Sequence, residues 1–217
     1  MDAGQHIVSL SLGNVAEPSA VVVIDPRTEF ECRDVRNGGR DWENSFDVIH
    51  LERFAAGRPI PTIVDRMSEI MSGERLTKNC HLLLDLTSTG AAPIRVFESR
   101  GLYPATSIDL ANTAEEGQTG SSTRVPLRDV IGVAQVVLQT NRLKVATELE
   151  LASALVGDLQ SFDPKAITRG LDLRGGRNAD LVLALAVGLW WGDDLTWGAP
   201  KPEPSRPGPT GPGGWMT

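Results

Sequence analysis

Two acids stand where carboxylates often do chemistry. Asp85 closes the apolar run Leu82-Leu83-Leu84-Asp85-Leu86-Thr87 before a small polar loop, and Asp180 follows Asn178-Ala179 at the head of an apolar helix, Leu181 to Trp191. Carboxylates at a strand end and a helix start, far apart in sequence, are how a metal-dependent phosphodiesterase site is assembled, because divalent cations need several oxygen ligands converging from different elements. Each acid also has a purely structural role open to it: Asp85 as a cap on the turn to Ser88 or Thr89, Asp180 as a stabiliser of a helix start through the macrodipole. Arg169, Arg174 and Arg177 crowd ahead of Asp180. They read either as a phosphate-facing cluster or as a solvated loop.

Composition narrows the classes. The 217 residues carry a net charge of −7, which argues against a broad basic surface for non-specific nucleic-acid binding and leaves room for a local basic groove. Cys32 and Cys80 lie too far apart for a zinc pair and are too few for a disulfide framework. The start Met1-Asp2-Ala3-Gly4-Gln5 lacks a basic stretch followed by an apolar one, and Leu181 to Trp191 is about half the length of a membrane span. A cytoplasmic protein with no membrane partner is expected. His6, His50 and His81 sit in strand patterns without metal-ligand spacing, and Ser11 has no His or Asp pattern that would make it a nucleophile.

The elements that must position the two acids follow from periodicity. His6 to Leu12, Ala20 to Ile24 and Val48 to Phe54 read as an antiparallel meander, with a further strand around Thr28 to Val35. Ile60 to Met71 has helical spacing with Pro61 in its first turn. His81 to Leu86 reads as a strand buried on both faces and central in its sheet. A helix within Gly90 to Gly101 and a strand over Tyr103 to Leu110 imply a parallel crossover, so the sheet is mixed. Asn112 to Thr123 reads as a loop, Pro126 to Thr140 and Ala146 to Leu159 as helices around an extended Leu143 to Val145, and Asp163 to Arg174 as a loose hairpin. Trp190-Trp191 reads as helix-end packing. One domain over residues 1–197 and a disordered Pro/Gly-rich tail over 198–217 are expected.

Three antiparallel strands, a helix, a central strand ending in an acid, and a late helix headed by an acid resemble the ribonuclease-H-like nucleases. More narrowly, the chain resembles the C-terminal nuclease domain of the phage large terminase subunit, over about His6 to Trp191. Several segments carry the resemblance: Ser11-Leu12-Gly13 with Glu17-Pro18-Ser19-Ala20, His50-Leu51-Glu52-Arg53-Phe54, Asp85-Leu86-Thr87 through Gly90, Val125-Pro126-Leu127-Arg128-Asp129-Val130, Arg142-Leu143-Lys144-Val145, and Asn178-Ala179-Asp180-Leu181-Val182-Leu183-Ala184-Leu185-Ala186. The fold it implies is α/β, a mixed ribonuclease-H-like sheet of three antiparallel strands then parallel crossovers, flanked by helices.

The resemblance also implies a Mg²⁺- or Mn²⁺-dependent endonuclease acting on double-stranded DNA in viral DNA packaging. Asp85 and Asp180 would be its catalytic metal ligands. At two further positions where the family carries acids, this sequence has Ser11 and Ala179. The site is therefore expected to be partly dismantled, with Glu17, or less readily Asp25 or Asp109, available to substitute for Ser11. No Gly-x-x-x-x-Gly-Lys-Ser/Thr phosphate loop is present, so the chain reads as the nuclease half alone, of phage or prophage origin, with a separate packaging ATPase, small terminase subunit or portal as possible partners. The competing expectation is a non-catalytic docking or regulatory module of a packaging complex.

Overall fold

In a computed structural model, residues 5–31, 41–77, 80–111, 117–119, 122–162 and 179–197 are described. The chain forms strands β1 (His6–Ser11), β2 (Ser19–Glu31) and β3 (Asp41–Phe54), helix α1 (Ile60–Met71), β4 (Cys80–Asp85), α2 (Ala92–Ser99), β5 (Thr106–Ala111), β6 (Gly117–Thr119), β7 (Ser122–Pro126), α3 (Leu127–Gln139), β8 (Leu143–Val145), α4 (Ala152–Ser161) and α5 (Ala179–Trp197). The described strands make one mixed sheet in the order β6-β7-β5-β4-β1-β2-β3-β8. The β1-β2-β3 meander is antiparallel, whereas β4 joins β1, β5 joins β4 and β7 joins β5 in parallel.

Alternation of side chains across the pleat divides the core in two. Ile7, Val22, Ile24 and Phe46 face one way, toward Val130 of α3, Leu155 of α4 and Leu185 of α5. Val8, Leu10, Val21 and Val23 face the other way, toward Ile63 and Met67 of α1 and Phe97 of α2. A sheet covered on both faces explains why β1 and β4 read as nearly unbroken apolar runs.

Helix α5 lies close on the sheet because it offers no side chain at two contact points. A Cβ on Gly188 would stand 2.7 Å from Ile24 Cδ1, and one on Gly192 would stand 2.7 Å from Phe46 Cε1. The four-residue spacing puts both glycines on one helix face. Between these two glycines, Trp191 packs edge-on to His81, ring centroids 5.8 Å apart. Trp190-Trp191 is thus a packing pair, as its sequence setting suggests, though α5 runs on to Trp197.

Several expected boundaries change. The second and fourth expected strands are one: β2 is continuous from Ser19 to Glu31, with Pro26 beyond Ile24, where pairing with β1 has ended. A missing N–H is cheap there because the strand is paired on β3 alone. The third strand begins at Asp41 rather than Val48, and β5 begins at Thr106 rather than Tyr103. The expected loop Asn112 to Thr123 contains β6 and the start of β7, a hairpin at the sheet edge whose threonines suit extended backbone. Helix α4 starts only at Ala152, because turns closed by Leu149 N–H to Ala146 O and Ala152 N–H to Leu149 O precede it. The expected hairpin Asp163 to Arg174, the tail 198–217, Cys32, and the cluster Arg169, Arg174 and Arg177 lie outside the described residues.

Candidate functional site

The two acids meet the same end of the sheet. Parallel register pairs Ser11 with Asp85, antiparallel register pairs Ser11 with Ala20, and Ala20 pairs in turn with Arg53. Residues in register share a face, so Asp85, Ser11, Ala20 and Arg53 form one transverse row on the α5 side. Strand spacing of about 4.8 Å puts the ends of that row, Asp85 and Arg53, roughly 14 Å apart at Cα. The N-terminus of α5 sits over the Arg53 end.

Local sequence explains why the row is well defined. After Ser11 the chain must turn tightly, and a Cβ on Gly13 would stand 2.2 Å from the carbonyl oxygens of both Glu17 and Pro18. Only glycine allows that approach. The Gly13 N–H is satisfied by Ser19 Oγ at 2.9 Å, which ties the end of β1 to the start of β2.

At one end, fully buried Asp85 is held by neutral donors. Ser11 Oγ donates to Oδ2 at 2.7 Å, while the Thr87 N–H and hydroxyl donate to Oδ1 at 3.1 and 2.5 Å. Thr87 Oγ1 accepts in turn from the Leu110 N–H at 2.9 Å, so the turn after β4 is locked to β5. Asp85 does cap its turn, on Thr87 rather than on Ser88 or Thr89.

At the other end stands a feature that sequence reasoning missed. The Arg53 guanidinium donates from Nε to Asp180 Oδ2 and from Nη2 to Asp158 Oδ2, both at 2.6 Å. The Asp180 side chain is 1% exposed, that of Asp158 8% and that of Arg53 25%. Burial works against the charged guanidinium, but the hydrogen bonds and charges of Asp180 and Asp158 outweigh it and hold the group above its ordinary range. Asp180 Oδ1 is buried and accepts no hydrogen bond from the described residues.

A signal for Asp158 existed. It lies three residues after Leu155 and seven after Leu151, on the helix stripe that faces the core, and a charge on such a stripe demands a partner. Arg53 gave no comparable signal, since its partners come from 105 and 127 residues away.

The expected substitutes for Ser11 do not join the row. Glu17 Oε2 accepts from Asn14 Nδ2 within its own loop, and Asp25 pairs with Arg27. Asp109 pairs with Arg124 at 3.4 Å, one residue off the Ile108–Asp85 register and so on the opposite face. Ala179 is buried at the head of α5 and supplies no oxygen from its side chain.

Solved structures give the architecture a counterpart. The large terminase nuclease from thermophilic phage G20c superposes with a TM-score of 0.50 at 14% identity, over 87% of this chain and 82% of that one. The human cytomegalovirus terminase nuclease domain, in a manganese-soaked structure, gives 0.52 at 12% identity, over 89% and 86%. This chain has a terminase-nuclease fold. The phage G20c nuclease with bound magnesium matches equally, with a TM-score of 0.51 at 15% identity. No protein-family model and no curated protein matches the sequence.

The terminase-nuclease fold raises the question of a metal pair. One observation favours a cation here: Asp180 Oδ1 has no partner among the described residues. The donor set is against it: Ser11 spends its hydroxyl proton on Asp85, and Arg53 already faces Asp158 and Asp180. No group of three His, Cys, Asp or Glu side chains converges to hold a metal among the described residues. A two-metal site, which needs several anionic oxygens to offset the repulsion of two dications, does not fit these residues as arranged. Among the described residues, no helix is long and apolar enough to cross a membrane.

Proposed function

We propose that this chain is a terminase-nuclease-fold protein of phage or prophage origin that serves viral DNA packaging as a non-catalytic docking or regulatory module. The observation that carries this reading is the pairing of Arg53 with Asp158 and Asp180, together with a serine beside Asp85. A guanidinium balances buried carboxylates, but it cannot act as a Lewis acid or generate a hydroxide nucleophile. Fold alone does not assign activity. The partners this reading calls for are double-stranded DNA and a packaging ATPase, small terminase subunit or portal, met in the host cytoplasm. The domain would occupy residues 1–197, with 198–217 as a Pro/Gly-rich tail.

The second reading is a Mg²⁺- or Mn²⁺-dependent DNA endonuclease with Asp85 and Asp180 as catalytic metal ligands. Asp180 Oδ1, without a partner among the described residues, and the likeness to a magnesium-bound phage nuclease favour it.

Cleavage of supercoiled plasmid in MnCl₂ by the purified chain separates the two, with Asp85→Ala as the control for contaminating nucleases. The module reading expects identical, background nicking from both proteins. Nicking that disappears in the variant establishes the endonuclease.

A further inference from the structure

We infer that Arg53 stands in for a divalent cation: its guanidinium closes a latent cation site formed by Asp158 and Asp180, and removing its charge opens that site. The inference deepens the module reading and rests on it. It explains how two buried acids are kept side by side on one guanidinium.

Three observations support it. First, the two carboxylates come from different elements, α4 and α5, and converge on one group from β3 with both contacts at 2.6 Å. Convergence of oxygens from separate elements on one cation is what a divalent site requires, and here the cation is covalently part of the chain. Second, the contacts are split across the fork, Nε to one acid and Nη2 to the other. The guanidinium bridges the two carboxylates through different nitrogens and does not chelate either one alone. Third, Asp180 Oδ1 is buried and has no hydrogen-bond partner among the described residues. The guanidinium uses one oxygen of each acid, and the orphan oxygen gives an ion more donors than arginine engages.

Without the arginine charge, two buried carboxylates lose the cation they share. Such a pair either takes up protons or captures a cation. A hard divalent ion with oxygen ligands matches the donors that remain.

The test uses the full chain as wild type, Arg53→Gln, Arg53→Lys and Arg53→Gln/Asp158→Asn, with thermal midpoints read in EDTA and in MnCl₂. Glutamine keeps the length and polar end of the side chain while removing the charge. Arg53→Gln is expected to melt below wild type in EDTA and to recover in MnCl₂, since an ion that binds only the folded state raises its midpoint. Wild type and Arg53→Lys, which keep a resident cation, are expected to be indifferent to Mn²⁺. Adding Asp158→Asn is expected to abolish the recovery.

Indifference of Arg53→Gln to Mn²⁺ overturns the inference. So does a wild-type midpoint that rises with Mn²⁺ and loses the rise in Asp180→Asn. If Arg53→Gln is unfolded in EDTA, circular dichroism gives the answer: folding regained on adding MnCl₂ supports the inference, and a chain unfolded in both conditions overturns it. Plasmid nicking by wild type refutes the module reading, whereas a cation-blind Arg53→Gln refutes this inference and leaves that reading standing.

Discussion

The two ends of the transverse row treat their acids in opposite ways. Asp85 is held by two hydroxyls and one backbone N–H, with no cation beside it among the described residues. Asp180 is neutralised by a guanidinium that it shares with Asp158. The first solution is local, since Thr87 is two residues from Asp85 and Ser11 is its register partner on the next strand. The second joins β3, α4 and α5. A buried carboxyl group is thus held at one end by hydrogen bonds built into a strand and its turn, and at the other by an ion pair that also staples the last helix to the sheet. The second arrangement should matter more for stability, because losing one partner strands the others in a low-dielectric setting.

Substitution at Arg53 tests that ranking most severely. Arg53→Ala leaves Asp158 and Asp180 buried and uncompensated, and we expect a loss of about 3–5 kcal/mol in urea denaturation. A loss equal to that of Ser11→Ala would abolish the distinction between the two ends. The seat of α5 comes next. Gly188→Val forces a branched side chain against Ile24 and Ser9, with Cβ contacts of 2.7 and 3.3 Å before relaxation, and should cost about 1–3 kcal/mol by overpacking. Because it lifts the helix that carries Asp180, combining it with Arg53→Ala should give less than the sum of the single effects, as measured by a double-mutant cycle. Ser11→Ala should have the smallest effect, about 1 kcal/mol. It removes one of the three hydrogen bonds to Asp85 and leaves both from Thr87 in place.

Which parts of this arrangement were readable in advance follows from the range of the forces involved. The central strand ending at Asp85 was readable because burial on both faces writes an apolar run that needs no partner to be recognised. The helix headed by Asp180 was readable for the same reason, since α5 is apolar nearly all round. The edge hairpin β6-β7 was not readable, because short polar strands at a sheet edge carry no alternation that sets them apart from a loop. The late start of α4 was hidden by leucines at Leu149 and Leu151 that pack on the core from a turn as they would from a helix.

The layered α/β plan, the strand-end and helix-start placement of Asp85 and Asp180, and the serine and alanine where the resemblance implies acids are all written in the residues themselves. Those are properties of hydrophobic period and residue type, which short stretches carry alone. What each acid touches was settled by folding. Register brought Ser11 beside Asp85, and the close approach of α5, made possible by Gly188 and Gly192, brought Asp180 within reach of an arginine 127 residues earlier. Ion pairs act over a few ångströms in space and leave no period in sequence, so the group that closes this site could be found only once the chain was folded.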